Sequence, residues 1–418
     1  MQLTKNAAFL FSARLINALS ILAIIVIISR CLGPDTFGGY SFLHAVVITG
    51  IVIANFGLDT FMVREVSRDA LQGSQLLTSV LEFKFVSSLA VMAGIAGIFL
   101  YFLKDVVLFR LLVIFSIVIL FNSLSQSFWF YGDAFQKFKF HASLWALSNV
   151  IKVPPVWIFI ALKRELVMVI YGLLIAEAIS LVISACWIKR CFRLIPGKLS
   201  FSLPSALFKK AWPLAIVFIL SAFYFRIDMM MLEVMKGERA VGLYSAAYKV
   251  IEFLSIVPGT VTIAALPGLS SDFYSDIESF RVTFFKTAIM LGIGGAAIGS
   301  FLYFFASHVI LVLYGPLFFD SVRSLSILSG VVLLLFINGY LAYVTIAADN
   351  DKAVALILVI ATMINVILNI YLIPKYSFVG AALSTLLSEV AMFFCYISLF
   401  VKTNIFMKQR TKSILIRP

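Results

Sequence analysis

Residues 33 to 41 read Gly33-Pro-Asp-Thr-Phe-Gly-Gly-Tyr-Ser41 and residues 237 to 245 read Gly237-Glu-Arg-Ala-Val-Gly-Leu-Tyr-Ser245, so G-x-x-x-x-G-x-Y-S occurs twice, 204 residues apart. Half of the 418-residue chain is 209. Each copy is a short break between the first and second long apolar stretches of its half. Equivalent placement makes duplication a better account than chance, and it predicts a parallel repeat about an axis along the membrane normal. Glycine suits such a hairpin, because it accepts positive φ and lets two helix ends approach closely.

Outward from these breaks the chain is strongly apolar, with 62% hydrophobic and 13% charged residues. That composition excludes a soluble globular domain. A helix needs ~20 apolar residues to cross the ~30 Å hydrocarbon core. Stretches of that kind lie near 8–29, 41–62, 80–102, 108–130, 142–162, 166–188, 211–234, 242–265, 283–305, 324–347, 353–373 and 379–401. They are continuously apolar instead of alternating, which excludes a barrel. The expected fold is therefore an all-α integral membrane protein of about twelve transmembrane helices. The first stretch follows a single lysine, Lys5, with no small-residue cleavage site, and reads as a retained span.

Four cysteines in or beside different spans, with only three histidines, offer no metal-ligand spacing or disulfide framework. No metal and no cofactor is expected. The net charge of +13 fits cytoplasmic loops facing anionic lipid better than it fits nucleic acid. With the N-terminus inside, inner loops and tails hold 19 of the 33 Lys and Arg, outer loops nine, and spans five. This bias predicts both termini in the cytoplasm. The longest polar connection, 189–210, carries Pro196, Gly197 and Pro204 and divides the chain near its middle. It is read as a basic cytoplasmic linker between six-helix lobes at 1–188 and 211–401, with a basic cytoplasmic tail at 402–418.

The stretch Arg30-Cys-Leu-Gly-Pro-Asp-Thr-Phe-Gly-Gly-Tyr40 resembles the R-x-L-G-P-x-x-[FY]-G-x-Y break of Wzx-type O-antigen and polysaccharide flippases, in the multidrug/oligosaccharidyl-lipid/polysaccharide (MOP) exporter superfamily. Further segments agree in order. Asn55-Phe-Gly-Leu-Asp59 with Val63-Arg-Glu-Val-Ser-Arg68 looks like the end of that family's second helix, and Phe128-Trp-Phe-Tyr-Gly132 like the end of its fourth. Ile227-Asp-Met-Met-Met-Leu232 with Gly242-Leu-Tyr-Ser-Ala-Ala-Tyr-Lys249 looks like its seventh and eighth. Asn365-Val-Ile-Leu-Asn-Ile-Tyr-Leu-Ile-Pro-Lys375 with Gly380-Ala-Ala resembles its eleventh and twelfth. The resemblance implies a MATE-like arrangement of two lobes around a cavity and alternating access in the bacterial inner membrane. It also implies an undecaprenyl-pyrophosphate-linked oligosaccharide as cargo. Membrane lipid, an O-antigen polymerase and a chain-length regulator are its candidate partners.

Ionisable residues inside spans would each cost a few kcal/mol against lipid, so they are expected to face an interior or a wet cavity. Five basic ones, Arg14, Lys84, Lys152, Arg226 and Lys249, are candidates for binding the pyrophosphate through charge-assisted hydrogen bonds. The acidic Asp59, Glu177, Asp228, Glu252 and Glu389 are candidates for ion coupling or gating. Each has a structural alternative. Lys152 and Glu177 reach similar midplane depth on consecutive antiparallel helices and can pair. Arg14 and Lys84 lie near the cytoplasmic edge, where long side chains can snorkel. Lys249 and Glu252 are i and i+3 and, with Arg226 and Asp228 at the same depth, can form a polar lock. Glu389 can anchor neighbouring helices.

Softer signals are Asn122, Gln126, Asn338, Asn365 and Asn369 as interhelical hydrogen-bond partners and Gly292, Gly294, Gly295 and Gly299 as close-packing positions. Trp129, Trp157, Trp187 and Trp212 are placed as interface anchors. Two other functions compete with flipping. A membrane polymerase or glycosyltransferase is disfavoured because no outer break exceeds about twenty residues, too short to fold independently, and no nucleotide or nucleophile motif stands on a soluble segment. A drug/cation antiporter of the same superfamily is not separated from a flippase by the balance of in-span charges.

Overall fold

The computed structural model describes residues 2–69, 73–192, 205–348 and 350–403. Every long element in them is helical, as water-free surroundings demand of backbone amides. The helices are α1 (Gln2–Asn55), α2 (Leu58–Arg68), α3 (Gly73–Phe102), α4 (Val106–Phe115), α5 (Ile117–Ala134), α6 (Phe138–Leu162) and α7 (Leu166–Phe192), then α8 (Ser205–Lys236), α9 (Glu238–Leu254), α10 (Ile256–Ser275), α11 (Ile277–Tyr314), α12 (Ser321–Ala347) and α13 (Asp351–Thr403).

Among the described residues ten helical segments are long and apolar enough to cross a membrane, against twelve expected. The difference has a geometric source. α1 has 54 residues and α13 has 53, about 80 Å each at 1.5 Å per residue, far more than one crossing requires. Each is two helices joined at one non-helical residue, Gly33 (φ 78°) in α1 and Ser377 (φ 52°) in α13. A second interruption falls inside the expected 41–62 span. Phe56 (φ 46°) and Gly57 (φ 68°) both take left-handed conformations, so α1 stops at Asn55 and α2 restarts at Leu58. Positive φ at a phenylalanine is strained.

The chain forms two compact units, Met1–Gly242 and Leu243–Pro418. Most of the proposed linker, residues 193–204, and the tail from residue 404 lie outside the described residues. In the first unit α1 packs on α3, α5, α6, α7 and α8, and α5 packs on α2, α3, α6 and α7. Their apolar core includes Met62, Val80, Trp129, Tyr131, Leu144 and Ile188. Trp129 is only 3% exposed and donates its indole N–H to Ser184 Oγ at 2.8 Å. It is therefore a core residue, whereas Trp157, Trp187 and Trp212 are exposed as expected of anchors. Trp129 sits at the right depth for an anchor but on an inward face.

In the second unit α12 packs between α11 and α13. Two of the four expected glycines make the close approach. A Cβ on Gly295 would lie 3.0 Å from Leu333 Cα, and one on Gly299 would lie 2.7 Å from the Ser329 carbonyl oxygen. Gly295 and Gly299 are i and i+4, on one face. Gly294 points into open space and Gly292 only grazes Ile337. Gly299→Val should therefore lower the thermal midpoint of the purified protein through a loss of about 1–3 kcal/mol from overpacking, while Gly294→Ala leaves it unchanged. Equal midpoints for the two variants would refute the close-packing assignment.

Candidate functional site

The polar interior of the first unit is organised by α5, which presents Asn122 and Gln126 in one row and Ser123 and Ser127 in the adjacent row. The i, i+4 spacing puts each pair on one line along the helix.

The second row meets an ion pair. Lys84 of α3 donates from Nζ to Asp59 Oδ1 at 2.6 Å, to Asp59 Oδ2 at 2.8 Å and to the Ser123 carbonyl at 3.1 Å. Ser127 Oγ adds a longer contact to Asp59 Oδ1 at 3.5 Å. Lys84 is 0% exposed. The snorkelling alternative for Lys84 is thus overturned: its ammonium points inward and all three of its protons have acceptors. Asp59 stands at the start of α2, two residues past the left-handed Gly57, so the helix break turns the carboxylate toward α3.

The first row continues to the other expected pair. Lys152 of α6 lies 2.6 Å from Glu177 Oε1 of α7 and donates to Asn149 Oδ1 at 3.2 Å. Asn122 donates to both Glu177 oxygens at 3.3 and 3.4 Å. Gln126 donates to Asn122 Oδ1 at 2.7 Å, and Asn55 donates to Gln126 Oε1 at 2.8 Å. One line of hydrogen bonds therefore runs from Lys152 through α7 and α5 to the last residue of α1. Gly172 makes this possible, because its missing side chain lets α7 lie against the backbone of Pro155 and Val156, where a Cβ would be 3.1 Å away. The α6–α7 approach brings Lys152 within reach of Glu177. The side chain of Lys152 keeps 15% of its surface exposed against 4% for Glu177. Of these two paired lysines of the first unit, Lys152 alone offers an edge to a ligand.

The remaining candidates are dispersed. The Arg14 side chain lies outside the described residues. Arg226 and the buried Asp228 belong to α8 in the first unit. Lys249 and Glu252 belong to the second unit and pair at 2.6 Å, as their spacing predicts. Glu389 accepts the Asn338 side-chain amide on Oε2 at 2.7 Å, and that amide also reaches the Glu389 carbonyl at 2.9 Å, tying α12 to α13. Asn369 donates to Asn365 at 2.9 Å, and Asn365 reaches Ser388 at 3.4 Å. Sequence reasoning missed the Lys84–Asp59 pair, the entry of Asn55 into the α5 network and the contact of His141 Nδ1 with Asp133 Oδ2 at 2.6 Å. The only advance signal for the first was that both residues sat in spans whose other charges were few.

Over residues 3–272 the sequence matches the family model described as "Polysaccharide biosynthesis protein". The chain belongs to this family. Relatives extend the match to nearly full length. The capsular polysaccharide biosynthesis protein CapF of Staphylococcus aureus is 24% identical over 402 residues, covering 94% of this chain and 98% of the relative. A protein of Escherichia coli (strain K12) named "Putative O-antigen transporter" is 23% identical over 423 residues, covering 97% and 98%.

Solved structures carry the fold further. The lipid II flippase MurJ in an inward closed conformation superposes with a TM-score of 0.77 at 17% identity, over 95% of this chain and 89% of that one. An inward-facing MATE multidrug resistance transporter of the MOP superfamily gives 0.75 at 17%, over 96% and 98%. This member of the polysaccharide biosynthesis family is an all-α multi-pass membrane protein with the fold shared by those two structures.

Removing one partner of a buried pair strands the other, at a cost of about 3–5 kcal/mol. Lys84→Met should accordingly reduce membrane abundance and thermal midpoint, and Lys84→Met combined with Asp59→Leu should recover most of both. A double variant no better than the single one would show that pairing is not what Lys84 contributes.

Proposed function

We propose that this transporter flips an undecaprenyl-pyrophosphate-linked oligosaccharide, an O-antigen-type repeat unit, from the cytoplasmic to the periplasmic leaflet of the bacterial inner membrane by alternating access. The observation that carries the reading is the Lys152–Glu177 pair, a cation inside an apolar unit with an accessible edge and a neutralising partner. A pyrophosphate carries about two negative charges and accepts charge-assisted hydrogen bonds from an ammonium group. In this reading its oxygens replace Glu177 on Lys152 during passage, and the released carboxylate remains held by Asn122 or takes up a proton. Exchange of one anion for another keeps the lysine neutralised throughout, which the surrounding hydrocarbon requires. The names of the capsular and O-antigen relatives support a sugar cargo.

The same reading takes twelve crossings, by dividing α1 at Gly33 and α13 at Ser377, with six-helix lobes at 1–188 and 211–401, a basic inner linker between them and both termini in the cytoplasm. Arg14, Arg226 and Lys249 are retained as further contacts for the anion, whereas Lys84, enclosed by Asp59 and the Ser123 carbonyl, is withdrawn from that role; Asp59, Asp228, Glu252 and Glu389 are retained as coupling or gating groups. Polymerase and chain-length regulator are the partners that would consume the flipped unit. A cysteine placed at residue 200, in a chain lacking the native cysteines, should resist a membrane-impermeant thiol reagent in intact cells and react after the inner membrane is opened. Labelling in intact cells would overturn the topology.

Cargo is tested by complementation of a flippase-deleted strain that makes a known O-unit. The wild-type chain should restore surface polymer. At matched abundance Lys152→Arg should retain part of the activity and Lys152→Ala should lose it, with Lys152→Ala/Glu177→Ala no better. Recovery in that double variant would reduce the pair to mutual neutralisation. Drug resistance without polymer would point to the antiporter.

A further inference from the structure

The line of side-chain amides that crosses α5 has a direction, and one negative charge sets it. A carboxylate only accepts hydrogen bonds, whereas a primary amide donates at its nitrogen and accepts at its oxygen. Glu177 therefore obliges Asn122 to present Nδ2, at 3.3 and 3.4 Å from its two oxygens. Asn122 Oδ1 is left facing Gln126, which must present Nε2, at 2.7 Å. Gln126 Oε1 is left to accept, and Asn55 supplies Nδ2 at 2.8 Å. The line ends on Asn55 Oδ1, a buried oxygen with no hydrogen-bond partner among the described residues.

Asn55 is the last residue before the left-handed pair Phe56 and Gly57. Strained backbone of this kind persists only where its surroundings hold it, and the α1–α2 break is held on both sides. On the α2 side Asp59 is gripped by Lys84, with Ser127 beside it. On the α1 side Ser87 Oγ donates to the Ala54 carbonyl at 2.8 Å, and Gln126 accepts from Asn55. The two holds end differently. The Asp59 hold ends on an enclosed lysine, and the Asn55 hold leads to Glu177, whose lysine keeps an exposed edge. One side of the break is thus fixed, while the other is tied to the pair that exchanges partners in the reading given above. The joint between Asn122 and Glu177 is also the longest in the line. Glu177 takes its short contact, 2.6 Å, from Lys152, and so draws only weakly on Asn122. A buried carboxylate that loses its cation must be answered by the donors that remain, and Asn122 is already aimed at it.

We propose that Gln126 is a positioning residue that couples the Lys152–Glu177 pair to the α1–α2 break. When a phosphate of the cargo takes Lys152, Glu177 draws on Asn122, the pull passes through Gln126 to Asn55, and the left-handed break is locked. Return of Lys152 to Glu177 slackens the line. The coupling rests on the exchange of anions on Lys152 argued under the proposed function. It needs no charge to cross hydrocarbon, because all three relaying side chains are neutral amides.

The test uses the full-length chain with its native cysteines replaced, reconstituted in lipid nanodiscs and spin-labelled at Asp35→Cys and Arg64→Cys. These exposed positions lie in the first unit on either side of the break, so the distance between them, read by pulsed electron paramagnetic resonance, follows its bend. Inorganic pyrophosphate should narrow the distance distribution of the parent and have no effect on Gln126→Leu. Gln126→Leu and Glu177→Leu should each broaden the distribution, and the two together should broaden it no further than either alone, because both cut one line. Should Glu177→Leu fail to accumulate, Asn122→Leu makes the same cut with the ion pair intact and is combined with Gln126→Leu in its place. Broadening that adds in full in the double variant overturns the coupling, as does a parent distribution that Gln126→Leu leaves unchanged. Non-additive broadening in a chain whose parent ignores pyrophosphate keeps the coupling and removes the anion assigned to Lys152.

Discussion

A charge or a backbone amide inside hydrocarbon has only protein to answer it, and the interior of the first unit is arranged around that constraint. Lys84 would be among the most costly residues in the chain if the two carboxylate oxygens of Asp59 and the Ser123 carbonyl were not placed to receive its three protons. α5 supplies the second half of the answer on its adjacent row, where Asn122 steadies Glu177 while Lys152 approaches from α6. The small residue Gly172 is part of the same solution, because the charges meet only if α6 and α7 lie close. Polar satisfaction and tight helix packing are thus one arrangement here, with glycine allowing the approach and carboxylates making use of it.

Much of the fold could be read from the sequence because depth in a membrane is recorded by counting residues. Apolar stretches marked the helices, and the glycine of each duplicated break marked a turn that does take positive φ. The Lys152–Glu177 pair was legible for the same reason, since equal depth on consecutive antiparallel helices leaves few alternatives. Direction around a helix axis is not recorded that way. A helix that is apolar on every side carries no azimuthal signal, so snorkelling stood beside an inward role for Lys84 and Trp129 looked like an interface anchor, although both turn inward. The Phe56–Gly57 break was equally hidden, because a phenylalanine gives no warning of a left-handed backbone. The count of ten among the described residues departs from the expected twelve at α1 and α13, where a single non-helical residue joins two helices without an intervening loop.

Likeness of fold to both a lipid II flippase and a multidrug transporter shows how little the architecture alone says about cargo. What separates such proteins must lie in which side chains face the interior and in how they are neutralised. In the first unit two lysines, each within 2.6 Å of one carboxylate, share a single helix of serines and amides as their support. Lys84 is fully enclosed and Lys152 retains an exposed edge, so one fold element supports a structural and an accessible version of the same interaction.

The neutrality of these pairs bears on the electric field across the membrane. A single elementary charge moved through 100 mV gains or loses about 2.3 kcal/mol. Lys84 with Asp59 and Lys152 with Glu177 each sum to zero, so helices that carry intact pairs from one conformation to another do no net electrical work through them. In the exchange proposed above, voltage acts on these two pairs at the step where Lys152 and Glu177 separate and one of them acquires a different counter-charge. The pairing would then confine the potential dependence of these two sites to the exchange of partners, and leave helix movements that carry the intact pairs electrically silent at them.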